Sequence, residues 1–113
     1  MEEFYEVDVN EIKKLLKKLK PENIKFTIHA ENQILVRDGN KREVVKNILD
    51  PKKLVYVYKE KGSRGEWIYC LHFAISKNRT MRLPVIFKDG GKNLYILTYI
   101  MRYRKWQNMI RRK

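Results

Sequence analysis

His29 is one of only two histidines in the chain. It stands where an apolar strand pattern, Phe26-Thr27-Ile28, gives way to a helical one that continues through Ala30, Glu31, Ile34 and Arg37. A helix N-terminus presents unpaired backbone N–H groups and a charge of roughly +0.5, which attracts anions and disfavours an imidazolium. A histidine there can stay neutral and act as a base beside a phosphate; it can also simply cap the helix and pack.

Cleavage of RNA without a metal needs a base for the 2′-hydroxyl, cations for the charge on the scissile phosphate, and a donor for the leaving oxygen. His29 would serve as base or acid. Arg37, two turns later on the same helix, and Arg82, at the edge of a strand, would hold the phosphate. Thr98 or Tyr99 would bring a hydroxyl from the final strand. Each residue also has a plainer reading. Arg37 complements the carbonyl end of its helix, Arg82 is one more solvent-facing strand residue, and Thr98 and Tyr99 sit on opposite strand faces, so at most one faces a given site. His72, in Ile68-x-Cys70-x-His72-x-Ala74, shares a mostly apolar strand face and reads as a core histidine. Cys70 points the same way, but nothing else suggests a nucleophile dyad. Glycine-rich phosphate loops, zinc signatures and serine-elbow motifs are absent, so no metal site and no cofactor is implied.

The charge balance names the partner class. With 26 Lys and Arg against 13 Asp and Glu, the net charge is +13. From Trp67 onward there are 11 basic residues and one acid, Asp89, so the last 47 residues carry +10 and the first 66 carry +3. Such asymmetry fits a polyanion whose counterions are released on binding. RNA or DNA leads, ahead of an acidic protein or an anionic membrane. Near the end, Arg102, Arg104, Lys105 and Trp106 mix cations with an aromatic ring, as a nucleic-acid contact does. The helical spacing of Tyr103, Trp106, Met109 and Ile110 also fits a tail helix docking its apolar stripe on the core. Cys70 is alone, which excludes an intrachain disulfide framework. No apolar run reaches membrane-spanning length, and Met1-Glu2-Glu3 is unlike a signal peptide. The expectation is a soluble cytoplasmic protein without a membrane partner, its composition leaning toward a thermophile.

The elements that must position these residues follow from periodicity. Asp8-x-x-Glu11 resembles a capping box, and Ile12, Leu15, Leu16 and Leu19 recur at helical spacing, which predicts an amphipathic helix over about 8–20. A strand over 23–28, with Ile24, Phe26 and Ile28 on one side, leads into a helix over 30–37. Gly39 is placed to supply the positive φ of its C-cap. A further helix from about Lys41 carries Val44, Val45, Ile48 and Leu49 and stops at Asp50-Pro51. Four alternating segments follow, over 53–59, 67–76, 82–87 and 93–101, with breaks short enough for hairpins. One α+β domain over 1–113 is expected, its helices covering one face of a four- to five-stranded antiparallel sheet.

Phe26-Thr27-Ile28-His29-Ala30, Arg37-x-Gly39, Ile48-Leu49-x-Pro51, Arg82-Leu83-Pro84-Val85-Ile86 and Leu97-Thr98-Tyr99 together resemble a small bacterial and archaeal domain family. That family is grouped with RelE/ParE-type toxins in the barnase, EndoU, colicin and RelE fold. The likeness spans about residues 24–101. It departs from the family pattern in the missing second arginine after Pro84 and in the threonine and tyrosine standing side by side. The resemblance implies helices on a curved antiparallel sheet, endoribonuclease activity on RNA, and an acidic antitoxin-like partner. The alternative is a non-catalytic nucleic-acid-binding or protein-interaction module.

Overall fold

Asp8 opens the first helix by accepting the Asn10 N–H at 2.8 Å, and α1 (Val9–Lys17) then buries Ile12 and Leu16, with Leu19 a turn beyond. Pro21 blocks continuation. Thr27 caps α2 (Ile28–Val36), which buries Ala30 and Ile34. Asn40 caps α3 (Lys41–Leu49) through the N–H groups of Arg42 and Glu43, and Val44 and Ile48 face inward as their spacing predicts. Described here, in a computed structural model, are residues 4–109.

The strands are β1 (Phe4–Glu6), β2 (Ile24–Phe26), β3 (Leu54–Lys61), β4 (Trp67–Ser76), β5 (Arg79–Lys88), β6 (Asn93–Ile96) and β7 (Ile100–Arg102). They form one open sheet in the order β1-β3-β4-β5-β6-β2, with β7 beside the early part of β5. The α+β layout is as expected, but the sheet corrects the expectation in three places. It has seven strands. β1 adds a short edge strand before α1. β2 lies parallel to β6, so the sheet is mixed rather than wholly antiparallel.

The predicted last strand over 93–101 is also broken in two, and Pro84 is the cause. The Pro84 carbonyl accepts the Leu97 N–H at 2.9 Å, so its missing donor faces the same neighbour. The ladder lapses there: β6 pairs with Val85 to Lys88, and β7 resumes against Thr80 to Arg82, one residue out of register.

Alternation along the strands gives the sheet two unlike faces. Val57, Leu71, Phe73, Met81, Leu83, Val85, Leu94 and Ile96 meet the three helices in the main core. Phe4, Tyr56, Tyr58 and Cys70 lie on the other face, where Trp106 packs over them from a 3₁₀ turn (Trp106–Met109). Burying each large apolar side chain contributes about 1.5–3 kcal/mol, so the helix-side face dominates stability. No helix among the described residues is long and apolar enough to cross a membrane.

Candidate nucleic-acid interface

The turn at Thr27 places His29. The Thr27 hydroxyl accepts the Ala30 N–H at 3.1 Å and donates to the Leu97 carbonyl at 3.0 Å, fixing the start of α2 to the link between β6 and β7. His29 therefore belongs to the first helical turn rather than to the strand end, and it is exposed. Ile28, expected on the apolar strand face, opens the helix and is 79% exposed.

Arg37 closes the same helix, also exposed, about 12 Å from His29 along the axis at 1.5 Å per residue. The termination is not the one expected of Gly39. Asp38 holds the positive φ, at 53°, and the Gly39 N–H reaches back to the Ile34 carbonyl at 2.7 Å. Gly39 is required for another reason: a Cβ there would stand 2.9 Å from the Tyr99 ring.

Tyr99 is buried in the main core, its N–H donating to Gln33 Oε1 at 2.8 Å. Burial, and then Glu43, push its phenol up, while Arg79 and Arg37 act in the opposite direction. Thr98 is half-buried in the link between β6 and β7. Arg37 and Tyr99 thus share a neighbourhood on the helix side of the sheet.

Arg82 does not join them. Its neighbours Met81 and Leu83 are fully buried under the helices, so alternation turns Arg82 to the opposite face. There its Nη2 donates to the Tyr58 hydroxyl at 2.7 Å, and its guanidinium lies 5.9 Å from the Tyr58 ring centroid. The expected constellation is therefore divided between two faces, with His29, Arg37 and Tyr99 on one and Arg82 on the other.

Around Arg82 the sheet carries Tyr56, Tyr58, Cys70 and His72. His72 is fully buried, and because its Nδ1 lies 3.1 Å from the Cys70 carbonyl, that nitrogen carries the proton. Burial, assisted by the nearby Arg82 charge, lowers its pKa to about 4. Burial pushes the Cys70 thiol up, and burial with the Cys70 contact pushes the Tyr58 phenol up. Burial works against the Arg82 charge, but Tyr58 and Cys70 outweigh it and keep the guanidinium protonated. At neutral pH the Arg82 cation thus sits among the neutral side chains of Tyr58, Cys70 and His72, with Glu60 acting on Tyr58 and Cys70 from the same face. The core reading of His72 holds, and no thiolate–imidazole pair forms. Tyr56 Oη, His72 Nε2 and Arg82 Nε are buried without hydrogen-bond partners among the described residues.

The basic strip runs from the end of β7 and is anchored to the sheet. Arg102, Arg104 and Lys105 are exposed, while the Thr80 hydroxyl donates to the Arg104 carbonyl at 2.9 Å. Tyr103 projects outward, with the Arg79 guanidinium 5.9 Å from its ring. Trp106 turns inward and stacks on Tyr56 at 6.3 Å and 22° between planes, so it fastens the strip down. Of the expected tail helix the described residues form only the 3₁₀ turn, which docks Trp106 while Tyr103 of the expected stripe faces outward; Ile110 and the last three residues lie outside the described part.

The far end of the sheet holds an aromatic and cationic group that local reading of the chain did not single out. Across the β3–β4 hairpin Lys59 faces Tyr69 and Lys61 faces Trp67, while Tyr5 of β1 faces Lys59. The signal was present as Lys59-x-Lys61 and Trp67-x-Tyr69 around Gly62, but only the hairpin register brings the pairs together.

Comparison with protein-family models, curated proteins and solved structures finds no match. Function must therefore be argued from these side chains. Among the described residues no three His, Cys, Asp or Glu side chains are grouped to hold a metal ion.

Proposed function

We propose that this chain is a nucleic-acid-binding domain of the cytoplasm, with RNA its first partner, gripping the phosphate backbone through Arg102, Arg104 and Lys105. The observation that carries this reading is the strip itself: three exposed cations, tied to the sheet by Thr80 and by the Trp106 stack, within a stretch of chain whose one acid is Asp89. Cations on an anchored backbone lose less conformational freedom on binding than those of a loose tail do. Substituting all three by Gln should weaken binding of a fluorescently labelled single-stranded RNA roughly tenfold or more at low salt. Unchanged anisotropy curves would reject the strip as the contact.

A second reading, a metal-independent endoribonuclease of the RelE/ParE toxin kind, draws support from His29. The imidazole is open to solvent in the first turn of α2, where helix N–H groups favour an anion, and Arg37 and Tyr99 share its side of the sheet. His29 would transfer the proton, Arg37 would hold phosphate, and Tyr99 or Thr98 would position it; Arg82 would contribute only to RNA passing over the other face. Helices layered on one side of an open sheet are compatible with that fold. Exposed Ile28, Leu35 and Val36 along α2 favour a protein as a further partner, and the net charge of +13 favours an acidic, antitoxin-like one. Incubation of a mixed-sequence RNA with the native chain and with His29→Ala separates the two readings: products that vanish in the variant support the nuclease, and intact RNA in both leaves binding alone.

A further inference from the structure

Trp67 carries two lysines on its indole. Lys59 Nζ stands 4.6 Å from the ring centroid and Lys61 Nζ 5.3 Å, while Tyr5 meets the ring edge at 5.8 Å. Lys59 also lies 6.0 Å from the Tyr69 ring, which packs on the core through Phe87 at 5.3 Å. Tyr5, Lys59, Lys61 and Trp67 line a shallow depression of about 570 Å³.

We propose that this depression is a stacking site for an unpaired base of single-stranded nucleic acid, with Lys59 and Lys61 taking the flanking phosphates. The inference rests on the nucleic-acid reading above and adds to it a second, base-directed contact.

Three features carry it. Neither ammonium makes an ion pair among the described residues, so two like charges are held on one ring without a counterion from those residues. Two acids of the described residues close by in sequence are turned away: Glu60 sits on the opposite strand face, and Glu66 is bound to the hairpin through the Arg64 N–H at 2.9 Å. The ring itself is partly open, and Tyr5 beside it is 45% exposed. A base laid on the indole displaces the lysines from its face, and the freed ammoniums meet the phosphates on either side. Stacking of this kind tolerates any base, because every base has a π-face, but it requires that base to be unpaired. Along β4 the site lies about 23 Å from Ala74, which pairs with the Thr80 that anchors the basic strip. The two lie on opposite faces of the sheet, Trp67 with the helix-side residues and the strip with Trp106 and Tyr56, so a strand engaging both passes around the sheet edge.

The test uses the full chain with Trp106→Phe, leaving Trp67 as the sole indole, and three probes: an oligouridylate, an abasic strand of equal length and charge, and an RNA duplex. Oligouridylate is expected to quench Trp67 emission and to bind about tenfold more tightly than the abasic strand. In labelled-probe anisotropy, Trp67→Ala should lose that advantage while keeping its affinity for the abasic strand, and Trp67→Phe should retain most of it. Equal affinity of Trp67→Ala and the parent for oligouridylate, or a preference of the parent for duplex, overturns the site while leaving backbone binding intact. If the chain with both tryptophans binds none of the three probes at low salt in anisotropy, the nucleic-acid reading falls and this site with it.

Discussion

Arg82 and Tyr58 face each other across β4, the guanidinium donating to the phenol at 2.7 Å with no carboxylate ion-paired to Arg82 among the described residues. A hydrogen bond to a charged group contributes more than a neutral one, about 1.5–3 kcal/mol. Tyr58→Phe should therefore lower unfolding free energy by about 2 kcal/mol in urea titrations. Combined with Arg82→Met it should cost less than the sum of the two single changes, since the second change removes the stranded charge. Strict additivity would mean that the contact has no energetic weight.

His72 makes stability depend on pH. Its folded pKa, about 4, lies below the ordinary 6.5, so between those values the unfolded chain takes up a proton that the native chain refuses. Stability from this residue is whole above pH 6.5, falls as the pH drops toward 4, and levels off below; the full loss is about 3 kcal/mol. Urea midpoints measured stepwise across this window should fall in the native chain and fall less in His72→Gln. Parallel curves would show that another group sets the slope.

Gly39 and Asp38 divide the work usually given to one glycine. Gly39→Ala forces a methyl against the Tyr99 ring at 2.9 Å and should cost about 1–3 kcal/mol in thermal unfolding. The same change in a Tyr99→Ala background should cost much less. Asp38→Gly, which relieves the positive φ of 53°, should stabilise by up to about 1 kcal/mol.

The division of labour at that helix end illustrates what the chain discloses. The apolar periods of α1 and α3, and the alternation through β3, β4 and β5, are local signals strong enough to read directly. Three-residue β1 and β2 carry almost no period, and their edge positions depend on partners distant in sequence. The break between β6 and β7 follows from Pro84, thirteen residues before Leu97 but hydrogen-bonded to it across the ladder. Thr98 and Tyr99, expected on opposite faces of a strand, lie in the link between β6 and β7, and alternation does not tell which face the helices cover, so the placing of Arg82 opposite His29 could not be read. The Trp67 site was hidden for the same reason, since its members meet only through hairpin register.

Whether the cations at the end of β7 and just beyond it hold a nucleic-acid backbone is tested most directly by salt dependence. For single strands, log Kobs against log salt has a slope of about −0.7 per phosphate neutralised, so losing three contacts should make it shallower by about 2. The account predicts that difference between the native chain and the variant with Gln at positions 102, 104 and 105, both measured with the same single-stranded RNA. Identical slopes, or no binding by the native chain at low salt, would contradict it.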